Sequence, residues 1–301
     1  MPTPALPSDP LWPRAGDWPR DVAGPIDLAL VGIPTWRTSL SPTSAHATPA
    51  AVRAALRRYA PFAASVGGRN VDNLAFADLG DAVEPDGPDG EPVAQALIAD
   101  AVRRAAVTVA LGGDNAATVP AALGAWGSEV ARAGLITLDA HHDLRDGTSN
   151  GSPVRRLVEA GLDGRRIVQV GIADFANSRA YTERARDLGI TVIARDVLHS
   201  RPMADVMAEA LEVAGAGGGP IHVDLDVDVC DRSVAPACPA SVPGGIAAHE
   251  LRAAARAAGA DPRVRSVDIT EVDALMDAPD GRTVRLAALC VLEVAAGLAS
   301  R

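Results

Sequence analysis

Short apolar runs rich in β-branched residues alternate along this chain with longer Ala-, Arg- and Leu-rich segments whose apolar positions recur at helical spacing. The runs IDLALVGI (26–33), VTVAL (107–111), GLITL (134–138), IVQVGI (167–172), ITVIA (190–194), PIHVDLDV (220–227) and VRSVDI (264–269) are predicted strands. Helices are predicted between them, at 49–60, 92–105, 116–126, 153–161, 178–188, 202–214, 248–259 and 285–299. Several strand runs are apolar on both faces, as parallel strands covered by helices must be. Strand–helix alternation of this kind builds right-handed βαβ units. The expected fold is therefore α/β, a mostly parallel sheet between layers of helices. AVEPDGPDGE (82–91) reads as a turn-rich loop and the glycines of 215–219 as a hinge, neither long enough to divide the chain. One domain over 1–301 is expected, with an irregular segment at 1–24.

The apolar pattern breaks in an unusual way at two strand ends. In GLITLDAHHDLRDG (134–147), Leu138 is followed by Asp139, His141, His142 and Asp143; in GPIHVDLDVD (219–228), the strand itself carries Asp224, Asp226 and Asp228. In an extended segment Asp139, His141 and Asp143 share one face while His142 points to the other, and Asp224 and Asp226 share a face by the same rule. Ligands in open parallel sheets bind beyond the carboxyl ends of the strands, where these acids fall. Carboxylates crowded there repel one another unless cations sit among them. Oxygen donors with one imidazole and no thiolate favour Mn2+ or Mg2+ over Zn2+. The plainer alternative, water-exposed turn acids, suits one cluster better than two. A third segment, VALGGDNAAT (109–118), follows a strand with two glycines, Asp114 and Asn115; read alone it is a helix cap.

Composition narrows the function classes. A net charge of −10 leaves no basic stripe for nucleic acid. All 28 basic residues are Arg, a bias of composition and not of function. Three scattered cysteines make no disulfide framework, no run reaches the length of a membrane span, and residues 1–24 lack the apolar core of a signal peptide. No membrane partner and a cytoplasmic location are expected.

GGDN (112–115), DAHHD (139–143) and HVDLDVDVCDRSVAPACP (222–239) resemble, in order, the GGDH, DAHxD and SxDxDxxDPxxAP motifs of the ureohydrolase superfamily of arginase, agmatinase and formimidoylglutamase. ADLGD (77–81) and TPAAVRAAL (48–56) are similar to that family's N-terminal segments. The resemblance implies a three-layer α/β/α sandwich, two Mn2+ per chain and a trimeric or hexameric homo-oligomer. Carried over by position, it makes Asp139 and Asp224 bridging ligands, with Asn115 and Asp143 completing one metal site and His141 and Asp226 the other. Glu271, in DITEVD (268–273), matches the glutamate that pairs with the substrate's amidinium group. Asp226 is expected to carry a proton from the attacking water to the leaving amine.

Two positions depart from arginases and agmatinases. Asn115 replaces a histidine ligand, so its metal is expected to bind weakly. Asn150, in TSNGSPVRRL (148–157), falls near the place where arginase-like members carry a proton-transferring histidine, and an asparagine cannot titrate. DAHHD followed by SNGSP looks like the formimidoylglutamase branch. A formimidoyl carbon, bonded to hydrogen and two nitrogens, is a better electrophile than a guanidinium carbon and needs less proton assistance. The expected reaction is hydrolysis of N-formimidoyl-L-glutamate, an intermediate of histidine degradation, to L-glutamate and formamide. Arg145, Ser149, Asn150 and Arg155, just past the metal motif, are the candidates for holding the substrate's carboxylates. The alternatives are a guanidino-acid hydrolase and a non-catalytic subunit with a decayed site.

Overall fold

The structure, a computed structural model, describes residues 9–18 and 22–301. The expected strands form, in chain order, β1 (Ile26–Ile33), β3 (Ala105–Gly112), β4 (Gly134–Leu138), β5 (Ile167–Ile172), β6 (Thr191–Ala194), β7 (Ile221–Asp226) and β8 (Val264–Thr270). One further strand, β2 (Phe76–Asp81), was not expected; it lies at the sheet edge with only Ala77 fully buried, so its apolar signal is weak. The sheet runs β2-β1-β3-β8-β7-β4-β5-β6, and every neighbouring pair is parallel.

The helices are α1 (Thr48–Leu56), α2 (Gly90–Arg104), α3 (Thr118–Trp126), α4 (Pro153–Glu159), α5 (Arg179–Asp187), α6 (Arg195–Leu198), α7 (Met203–Ala214), α8 (Ala248–Ala260) and α9 (Arg282–Leu298). The short α6 had no periodic signal of its own. Local chemistry sets several starts: Pro153 opens α4 with its φ already helical, and the Ser178 hydroxyl accepts from the Tyr181 amide at the head of α5. Helices α1, α7, α8 and α9 cover one sheet face around Val109, Leu111, Val223 and Val267. On the other face α2 packs over β1, and α3, α4 and α5 over Leu135 and Ile167. The result is the expected three-layer α/β/α sandwich. Residues 9–18 and 22–25 form neither helix nor strand; 1–8 and 19–21, the rest of the expected irregular segment, lie outside the described residues.

The four central strands, β3, β8, β7 and β4, end side by side. Each delivers chemistry at or just past its last residue: Asn115, Glu271, Asp226 and Asp139.

Candidate metal centre and active site

Asp139 leaves β4 wholly buried, its Oδ1 accepting from the His141 amide at 2.6 Å and its Oδ2 unpartnered. Asp226 closes β7 and caps the turn that follows, accepting from the Asp228 amide at 2.8 Å. That turn brings Asp228 back against β4, where it accepts from the Ala140 amide at 2.8 Å and meets His141 Nδ1 at 2.6 Å. One donor atom each from Asp139, His141 and Asp228 lies within 4.8 Å of the others, a spacing that suits a divalent cation. A cleft of about 260 Å³ opens above them, lined by His141, Asp143, Asp226, Asp228 and Glu271 on its floor. Arg145, Asn150, Asn177, Ser178, Tyr181, Leu40 and Ser41 form its walls.

The electrostatics fit a cation. Burial, then repulsion from Asp228, pushes Asp139 up to about 7; burial and neighbouring acids hold Asp143 and Asp226 well above the ordinary carboxylate range. Burial opposes charge on His141, but Asp228 and Asp139 outweigh it and push the imidazole up to about 12. Asp228 is likewise penalised by burial, yet His141 keeps it below its usual value. A proton on His141 thus stands between two carboxylates where a metal ion would bind instead. The orphaned Asp139 Oδ2 and the oxygen-rich donor set are the chemistry a Mn2+ ion takes.

Here the geometry sets Asp224 apart from the other expected ligands. Asp224 does not line the cleft; it lies one layer lower on β7, accepts from the Thr270 hydroxyl at 3.3 Å and is pushed up by burial and by Asp268. The floor carries Asp226 and Asp228 instead. The signal was present in the spacing. In DxDxxDPxxAP, Asp226, Asp228, Asp231, Ala235 and Pro236 fall at every required interval with Arg232 in place of proline, whereas counting from Asp224 puts Val229 where an acid belongs.

Asn115 reaches the site through its amide nitrogen. Nδ2 donates to Asp143 Oδ2 at 2.5 Å, while Oδ1 accepts from the hydroxyls of Thr118 (2.6 Å) and Thr270 (3.3 Å). In this arrangement the oxygen expected to bind metal is already engaged. Asp114, not Asn115, supplies the cap of the next turn, accepting from the Ala116 amide at 3.2 Å. Gly113 is required there: a Cβ would stand 1.8 Å from the Thr35 carbonyl oxygen.

Glu271 and Asp143 are both held at left-handed φ, 61° and 52°. Such backbone costs about 1–3 kcal/mol per residue and persists only where the surroundings fix it. The Glu271 amide donates to the Gly113 carbonyl at 2.9 Å, and the Asp143 carbonyl accepts from the Arg155 amide at 3.2 Å. Glu271 Oε1 accepts from the Asn115 amide (2.9 Å) and from Asn150 Nδ2 (2.8 Å). Burial pushes its carboxyl up to about 8.

Of the substrate-binding candidates, Arg145 and Asn150 line the cleft; Ser149 and Arg155 do not. Ser149 is buried in its own turn, its amide donating to the Ser152 hydroxyl at 2.9 Å and its hydroxyl accepting from the Gly151 amide at 3.2 Å. The Arg155 guanidinium is turned to the carbonyls of Arg145 and Gly147 and to Glu159, which shapes the loop outside the cleft. His142 points away as expected, pairing with Gln169 at 2.7 Å and Thr182 at 3.3 Å. Asn177 and Ser178 of the β5–α5 loop and Tyr181 in the first turn of α5 were missed, because a polar segment without a motif carries no distinguishing pattern. A larger groove of about 840 Å³ lies elsewhere, between residues 11–13, 59–65 and α9; of its charged residues Arg252 and Arg256 pair with Glu293, which leaves Asp72 as its one other acid and no acid cluster.

A formimidoylglutamase of Bacillus subtilis is 33% identical to this chain over 93% of it and 88% of that protein. The crystal structure of formimidoylglutamase from Bacillus subtilis superposes with a TM-score of 0.90 at 28% identity, covering 99% of this chain and 96% of that one. A Trypanosoma cruzi formiminoglutamase with Mn2+ shares the fold at 23% identity and a TM-score of 0.82, covering 92% and 94% of the two chains. The Arginase family model matches residues 26–297. The chain belongs to the arginase family.

Proposed function

We propose that the protein hydrolyses N-formimidoyl-L-glutamate to L-glutamate and formamide with Mn2+. It is a hydrolase of C–N bonds in linear amidines. The observation that carries the substrate assignment is one cleft lined both by a buried acid floor with Glu271 and by Arg145 on the wall. Among the described residues Arg145 is the one arginine lining this cleft, and its guanidinium has no acid partner. A free guanidinium fits the carboxylates of a glutamate-like substrate and has no use for agmatine, which carries none.

In this reading Asn115, Asp139, Asp143 and Asp226 surround one metal position, and Asp139, His141, Asp226 and Asp228 the other, with the Asn115 position the weaker. Bound divalent cations neutralise the floor and lower the pKa of a water enough to make it a nucleophile near neutral pH. Glu271 turns Oε2 toward the amidinium and sets the reacting carbon over the floor. Asp226 takes the water's proton on Oδ2, which accepts no hydrogen bond from the protein, and returns it to the glutamate nitrogen as the C–N bond breaks. Arg145 holds a substrate carboxylate.

The one sheet through residues 26–270 supports reading 1–301 as a single domain. Among the described residues no helix is long and apolar enough to cross a membrane. Exposed Leu11, Phe62 and Phe175 support a homo-oligomer, and a trimer or hexamer in the cytoplasm belongs to this reading. The test supplies Mn2+ and compares glutamate release from N-formimidoyl-L-glutamate with urea release from arginine, agmatine and guanidinobutyrate. Faster urea release overturns the assignment. Arg145→Ala raises KM about 10-fold or more with kcat little changed, as loss of one charge-assisted anchor requires.

A further inference from the structure

Glu271 offers the cleft an unequal carboxylate. Its Oε1 already accepts two hydrogen bonds, from the Asn115 amide at 2.9 Å and Asn150 Nδ2 at 2.8 Å, which uses both lone pairs. Its Oε2 has no protein partner. The orientation of Asn150 is fixed from the other side, since its Oδ1 accepts from the Leu40 amide at 3.0 Å. Leu40, Asn150 and Glu271 all line the same cleft. Asn150 therefore saturates one oxygen of the acid and also aims a donor at the ground beside it.

From this we infer that Asn150 determines specificity, favouring a formimidoyl over a guanidino substrate by leaving Glu271 one acceptor in place of two. The inference rests on the proposed amidine hydrolysis. A protonated formimidoyl group carries three N–H bonds and a C–H; a guanidinium carries five N–H bonds. Against Oε2 alone the formimidoyl group finds its acceptor, and its C–H can face the Asn150 amide without loss. A guanidinium in the same place sets an additional NH2 against a donor and against a saturated oxygen, and a buried donor left unpaired is heavily penalised. Asn150 is a fixed amide that cannot titrate, so it acts on recognition and not on proton transfer.

The test uses a matched pair, N-formimidoyl-L-glutamate as substrate and N-carbamimidoyl-L-glutamate as competitive inhibitor, with wild type, Asn150→Ala and Asn150→Ser. The serine variant keeps a short acceptor near the Leu40 amide while withdrawing the donor from Oε1, and it serves if the alanine variant does not fold. The ratio of the inhibition constant to the substrate's KM falls in the variants by about 10-fold or more, the effect of one unmade charge-assisted hydrogen bond. A merely structural role weakens both ligands alike and leaves that ratio unchanged; an unchanged ratio, including no measurable inhibition in the variants, overturns the inference. A wild-type enzyme that releases no glutamate from the formimidoyl substrate overturns the proposed function instead.

Discussion

Two acid clusters lie on the same sheet face, one layer apart, and only one of them opens on the cleft. The upper one comprises Asp139, Asp226 and Asp228 with His141; the lower comprises Asp224 and Asp268 with His222 and Ser266. Both are buried, and burial drives both Asp226 above and Asp224 below well past the ordinary carboxylate range, so desolvation does not distinguish them. Access does. The lower cluster is closed in by the strands and by Trp126, whose ring stands edge-on to His222 at 6.3 Å. There His222 shares a 2.6 Å hydrogen bond with Ser266 and lies 3.3 Å from Asp268, near enough for an ion pair though not aligned for a hydrogen bond. The upper cluster opens on the cleft and has His141 between Asp139 and Asp228; unpartnered polar atoms occur in both, Asp139 Oδ2 above and Asp268 Oδ1 and Oδ2 with His222 Nε2 below.

The largest expected effect sets the two layers against each other by exchanging one oxygen for nitrogen in each. Asp226→Asn or Asp228→Asn weakens Mn2+ binding beyond the roughly 10- to 100-fold that loss of an outer partner costs, and activity falls with it. Asp224→Asn leaves metal content intact and leaves stability equal or improved, since a buried acid becomes an amide that can still accept from Thr270. Mn2+ measured per chain after dialysis reads both. Retained metal in Asp228→Asn together with lost metal in Asp224→Asn would restore the ligand set counted from Asp224.

The fold was legible because parallel strands announce themselves by apolar runs; β2 escaped because an edge strand buries little and FADLGD shows little. Within the site, Asp139, His141 and Asp143 were legible from a single D-x-H-x-D run that allows only one register. HVDLDVD allows two, and alternation along a strand gives both the same face, so periodicity could not choose between them. Which acid reaches the cleft depends on where β7 ends, and that end, at Asp226, is set by the turn that Asp226 itself caps. The role of Arg155 was illegible for a different reason: a guanidinium near a motif looks the same in sequence whether it meets substrate or its own loop's carbonyls.

A smaller effect sharpens the upper layer at its weakest member. Asn115→His replaces an amide whose oxygen is engaged by Thr118 and Thr270 with an imidazole nitrogen, a stronger donor for Mn2+. Mn2+ affinity is expected to tighten about 10-fold by titration, comparable to other single changes around metal sites. Unchanged affinity would place Asn115 outside the metal's coordination and leave it as the residue that steadies Asp143.

The smallest effect is on stability against pH, and it too separates the layers, because only the upper one opens on the cleft. Asp139 is raised from 3.8 to about 7 and Glu271 from 4.5 to about 8. A group whose pKa is higher folded than unfolded stabilises below its unfolded value and loses that contribution as pH climbs through its folded value. Metal-free protein therefore loses stability between about pH 4 and pH 8 from these two acids. His141, raised from 6.5 to about 12, adds a loss of the same sign across a higher window. Mn2+ must displace the protons to bind, so its affinity rises over the interval in which the empty site becomes costly. Thermal unfolding at pH 5.5 and pH 8 should show metal raising Tm by a few degrees more at the higher pH. An equal shift at both would mean that Mn2+ binds without releasing protons, and then the upper acids would be no less self-sufficient than the lower.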